Sequence, residues 1–130
     1  MAGRSCLQFM AYLALATIAI SCGSSATSPS STPPPVTTNT ITITSSGVSP
    51  KSVQIAAGGR VLFVNNDTRS HNMASDPHPE HDQCPEINQV GFLSAGQSRE
   101  TGNFVTARTC GFHDHDDPFT TSLQGQIVIH

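Results

Sequence analysis

Thr40-Ile41-Thr42-Ile43-Thr44 decides the fold class, because apolar and hydroxyl side chains alternate there with a period of two. In an extended chain successive side chains point to opposite faces, so the two isoleucines share one face that can be buried. The same signal continues toward the C-terminus. Val53 and Ile55 alternate after Pro50. Val61-Leu62-Phe63-Val64 is a continuous apolar run, as in a strand covered on both sides. Gln97 to Thr106 is a weaker strand candidate carrying Phe104 and Val105, and Gly125, Ile127 and Ile129 share one face of a last strand. Turn signals at Gly47, Ser49-Pro50, Gly58-Gly59, Asn66-Asp67, Ala95-Gly96 and Gly102-Asn103 separate the runs. No segment has a helical period. Short strands with frequent turns predict an all-β domain over residues 40–130, a Greek-key β-sandwich of seven to eight strands.

Before Thr40 the chain is of another kind. Arg4 precedes a nearly apolar run from Leu7 to Ile20, shorter than the roughly 20 residues a membrane span needs. Residues 1–21 therefore read as a signal peptide. Ala19-Ile20-Ser21-Cys22 resembles a bacterial lipobox, which makes Cys22 the lipidation site. The alternative is ordinary signal-peptidase cleavage nearby, with Cys22 incidental. Residues 22–39 are a Ser/Thr/Pro tether containing Pro33-Pro34-Pro35. The expected location is outside the cytoplasm, on the periplasmic face of a membrane or a bacterial cell surface, with the membrane touched only through the lipid. Without Arg4, five basic residues face nine acidic ones, all at or after Asp67. No basic stripe exists, so nucleic acid is not an expected partner.

The candidate chemistry lies in histidine and cysteine. All six histidines follow Thr40, as do Cys84 and Cys110. Cys110-Gly111-Phe112-His113-Asp114-His115 is the densest cluster, and His71, just after a strand and a turn, is the natural third donor. Two imidazoles and one thiolate in a trigonal set form a blue-copper electron-transfer site.

Several segments resemble the plastocyanin-type cupredoxins. Val61 to Asn66 followed by His71-Asn72-Met73 matches the strand and His-Asn pair of that family. Cys110, His113 and Gly125, with Ile127 and Ile129, match its second half. Gly47-Val48-Ser49-Pro50, Val53 to Ile55 and Gly58 to Val61 resemble its first strands, and Leu93 to Gln97 a later turn. The resemblance spans residues 40–130 and implies a cupredoxin-like fold. It implies one type 1 copper ion held by His71, Cys110 and His113, with His115 as the alternative to His113. Asn72 would bridge the ligand loops by hydrogen bonds. The protein would then be an electron carrier cycling Cu(I)/Cu(II) with a redox partner protein, not an enzyme. One departure is that no methionine follows Cys110, and Leu123 stands where an axial ligand is expected.

Alternatives remain open in the sequence. Cys84 and Cys110 can form a disulfide in an oxidising compartment, leaving a copper-binding or delivery protein or a metal-free interaction domain. Cys84 could instead join the metal site. His78 and His81 are either solvated loop residues or part of a second, weaker metal site with Glu80 and Asp82. The acidic run Asp114 to Asp117 is a solvated face or a guide for a basic redox partner. Met73 is expected in the core.

Overall fold

A computed structural model describes residues 39–130. The expected signal peptide, Cys22 and all of the tether up to residue 38 lie outside the described residues. Among the described residues no helix is long and apolar enough to cross a membrane.

Among the described residues nine strands form two sheets, one or two more than the alternation predicts. Strands β1 (Thr40–Thr44), β2 (Gly47–Ser49), β4 (Leu62–Asn65) and β7 (Ser98–Glu100) make the first sheet, in the order β2-β1-β4-β7. Strands β3 (Ser52–Ile55), β9 (Gly125–Ile129), β8 (Arg108–Asp114), β5 (His71–Ser75) and β6 (Gly91–Leu93) make the second, in that order. The extra strands are three-residue pieces too short to carry a period. β1 runs parallel to β4 and β3 parallel to β9, whereas the other pairs are antiparallel. The expected strand from Gln97 to Thr106 shrinks to β7. Beyond it Phe104 makes an isolated bridge to Gly59 and is buried, and Val105 is exposed.

The core fills the space between the sheets. Ile41 and Ile43 of β1 are buried, as are Val53, Ile55, Ile127 and Ile129 of β3 and β9. Phe63 of β4 meets Phe112 of β8 edge to face, with ring centroids 5.2 Å apart, and so links the two sheets. Met73 is fully buried among them, as expected. Gly125 leaves room that a side chain would fill, because a Cβ there would run into the Phe112 ring and lie 2.6 Å from the Lys51 carbonyl oxygen.

Two antiparallel neighbours position the site. β5 pairs with β8 in the register Met73↔Asp114, Ala74↔His113, Ser75↔Phe112. The long polar segment after β5 stays on the β8 ladder for one more residue, with the Asp76 N–H donating to the Gly111 carbonyl at 3.0 Å.

Candidate metal centre

The unbroken register of β8 separates the residues the sequence brought together. Phe112 points between the sheets at Phe63, so Cys110, two residues earlier, does the same and is fully buried. Strand parity puts His113, three residues after Cys110, on the opposite face. The sulfur is also committed, because Cys84 and Cys110 form a disulfide with Cα atoms 5.8 Å apart. Cys110 is therefore corrected from thiolate ligand to half-cystine, and Cys84 is its partner rather than an extra ligand.

His71 is the second correction. It shares the inward face of β5 with Met73 and is 1% exposed. Its Nδ1 lies 2.7 Å from Asp114 Oδ2 and its Nε2 3.1 Å from Asp67 Oδ2. An imidazolium satisfies both contacts by donating from each nitrogen, which leaves no lone pair for a metal. Burial alone raises the Asp67 carboxyl. The hydrogen bonds from His71 and the Thr68 N–H, with the charges of His71 and Arg69, outweigh it and hold Asp67 below its usual value. Asp114 Oδ1 also accepts the backbone N–H groups of Asn72 and Asp116 at 3.0 and 3.1 Å. The trio thus clamps the Asp67 turn to the end of β8.

Asn72 does bridge toward the histidine segment, but through its backbone. Its N–H donates to Asp114 and its carbonyl accepts the His115 N–H at 2.7 Å. Leu123, the residue at the expected axial position, is packed in the core.

The histidines converge elsewhere, on the outer face of the second sheet. His113 and His115 come from the end of β8 and the turn after it. His78 and His81 come from Asp76-Pro77-His78-Pro79-Glu80-His81. That segment is held by the His81 N–H donating to the Pro77 carbonyl, 2.7 Å, and by Asn88 Nδ2 donating to the His81 carbonyl, 2.7 Å. His81 has φ = +54°, a left-handed conformation that a side-chain-bearing residue adopts at a cost.

One ring nitrogen from each of these four residues lies within 4.8 Å of all the others. His81 Nε2 is the hub. It is 3.3 Å from His78 Nδ1, 3.2 Å from His113 Nε2 and 3.3 Å from His115 Nδ1. A single imidazole nitrogen has one lone pair or one hydrogen, so it cannot make three hydrogen bonds. Nitrogens about 2.0–2.1 Å from a shared tetrahedral metal stand about 3.3–3.4 Å apart, which matches the spacing around His81. Burial first, and then the neighbouring charges of His113, His115 and His78, hold His81 below the ordinary histidine range, with Glu80 opposing. The neutral imidazole, the form that ligates, is favoured as a result. His113 is buried, and its Nδ1–H donates to Asp76 Oδ1, 2.6 Å away.

A type 1 copper ion does not fit this donor set, because its sulfur is bridged and one of its imidazoles is spent on carboxylates. An ion held by imidazoles alone does fit. His113 and His115, expected as ligands, remain in that set. His78 and His81 join it, without the Glu80 and Asp82 partners considered from sequence. The signal that could have found them is the pairing of two short motifs, His-Pro-Glu-His and His-Asp-His, in one small domain.

No family model matches the sequence, and no curated protein matches it. Solved structures do match in shape. A purple cupredoxin from Nitrosopumilus maritimus is 19% identical, the alignment covering 70% of this chain and 98% of that one with a TM-score of 0.54. A mutant plastocyanin of fern, solved oxidised and reduced, is 16% identical over 70% of this chain and 99% of that one, with a TM-score of 0.56. An amicyanin mutant in the Cu(I) form is 17% identical over 70% and 80% of the two chains, with a TM-score of 0.54. At these identities the likeness is one of fold, and the described residues form a plastocyanin-like β-sandwich with the cupredoxin fold.

Proposed function

We propose that this protein binds one copper ion through His78, His81, His113 and His115 and serves as an exported, lipid-tethered copper-binding or copper-delivery protein. The observation that carries the reading is the convergence of three histidine nitrogens on His81 Nε2 at 3.2–3.3 Å. Copper is favoured over other divalent ions because nitrogen donors bind it most tightly in the first transition series, and because one structural neighbour is a Cu(I) protein. His78 and His115 are exposed, so the site opens to solvent and to a partner. Such openness suits loading and release of the ion. The copper, when bound, supplies a one-electron redox couple. The chain's residues hold it and exclude a sulfur donor.

A second reading, electron transfer from the same site to a redox partner, is supported by the shared fold alone. Titration of the protein with copper(II), followed by absorption and electron spin resonance, tests both. Binding of one equivalent with a weak absorption and nitrogen hyperfine structure is expected. An intense blue thiolate band, or no binding, would overturn the four-histidine reading. Rapid reversible reduction without loss of the ion would favour the electron carrier over delivery.

A further inference from the structure

We infer that Asp76 is a positioning residue for the metal site, and that Gly111 is the residue that makes room for it. This rests on the four-histidine reading and adds to it the group that sets which nitrogen of His113 faces the metal. Asp76 Oδ1 lies 2.6 Å from His113 Nδ1. A carboxylate can only accept there, so the hydrogen is placed on Nδ1 and the lone pair on Nε2. That Nε2 is the atom 3.2 Å from the His81 hub. A free imidazole divides its hydrogen between both nitrogens, and the share with the hydrogen on Nε2 must move it to Nδ1 before Nε2 can ligate.

The carboxylate reaches this position because β8 has no side chain at Gly111. A Cβ there would sit inside the Asp76 carboxyl group, 2.9 Å from its Cγ. The surrounding backbone is pinned, so the carboxyl group is what must give way. The Asp76 N–H donates to the Gly111 carbonyl at 3.0 Å and the Gln83 N–H to the Asp76 carbonyl at 3.0 Å. Gln83 Oε1 accepts the Gly111 N–H at 3.1 Å. The Asp76 side chain itself is 45% exposed and free to swing away. Gly111 lies in an extended strand where alanine is conformationally tolerated. Gly111→Ala should therefore unseat the carboxylate without unfolding the sandwich.

The test uses nitrogen-15 spectra of the metal-free protein and zinc(II) titration against a chelating dye, on the wild type, Asp76→Ala and Gly111→Ala. Retained amide spectra establish that each variant is folded. In the wild type His113 should carry its hydrogen on Nδ1 alone. Both variants should lose that preference and bind zinc about 10–100-fold more weakly. A His113 tautomer that is the same in all three proteins overturns the inference, as does a changed tautomer with unchanged affinity. A wild type that binds no metal overturns the four-histidine reading instead, and the tautomer comparison still decides whether Asp76 governs His113.

Discussion

The disulfide between Cys84 and Cys110 joins the segment that carries His78 and His81 to the strand that carries His113. Cys84 follows His81 by three residues and Cys110 precedes His113 by three, so one covalent link anchors both halves of the histidine set. Cross-linking residues 26 apart removes loop entropy from the unfolded chain, a stabilisation of about 3–4 kcal/mol. Replacing both cysteines by serine should lower unfolding stability by that amount in urea titrations. It should also weaken metal binding at temperatures where the variant is folded, because the His78–His81 segment loses its anchor. Unchanged affinity in the folded variant would show that the polar contacts of Asp76, Gln83 and Asn88 hold the segment unaided.

His71 separates two accounts of the metal site. If it were a copper ligand, His71→Leu would abolish copper binding and spare stability. The observed geometry gives the reverse expectation. Without the imidazole, the buried carboxylates of Asp67 and Asp114 lose their shared partner. Removing one member of a buried ionic cluster costs about 3–5 kcal/mol. Chemical denaturation should show that loss, and copper titration at low temperature should still show one equivalent bound to the folded fraction.

Asp67 makes stability depend on pH in a definite direction. Its carboxyl is held below the usual 3.8 in the folded state. A depressed carboxyl pKa means that the unfolded chain takes up the proton first as pH falls. The stabilisation from Asp67 is complete above the unfolded value and is lost as pH drops through the lower, folded one. Urea midpoints of the wild type and Asp67→Asn, compared from pH 7 to pH 3, should differ most at the upper end and converge in acid. A gap that widened in acid would contradict the lowered Asp67 carboxyl.

The sandwich was legible in sequence wherever burial alternates or is continuous. Thr40–Thr44, Val61–Val64 and Gly125–Ile129 carry patterns that only strands satisfy. Ser98–Glu100 was legible only inside the longer Gln97–Thr106 candidate and its bounds were not, since all three side chains are exposed and an edge strand of that length has no apolar face. At the site, the abundance of histidine was plain but its partition was not. The resemblance suggested a loop around Cys110 to His113. The chain instead stays in β8 through Asp114, and the odd spacing then sends sulfur and imidazole to opposite faces. The disulfide depends on a distance between residues 26 apart, which no local pattern encodes. The His81 hub depends on the turn closed by the Pro77 carbonyl, and that is a tertiary arrangement.

The four histidines should not contribute equally. His81 Nε2 lies 3.2–3.3 Å from a nitrogen of each of the other three, so its removal takes away the donor in contact with all the rest. His113 is buried and oriented by Asp76, so its loss removes a donor whose ordering cost has already been met by the fold. His78 is exposed, its polar side-chain contact is with His81, and its ring lies 6.2 Å from the exposed Phe119, so it must be ordered when the ion binds. Alanine substitutions should weaken metal binding most at His81 and His113, by about 100-fold or more, and least at His78, by about 10-fold. A tenfold loss of affinity corresponds to about 1.4 kcal/mol and a 100-fold loss to about 2.8 kcal/mol. Competition titrations of the single variants with zinc(II) and copper(II) measure the order directly. If His78→Ala proved as damaging as His81→Ala, the metal would be centred between the exposed rings, and the hub at His81 would be a consequence of crowding.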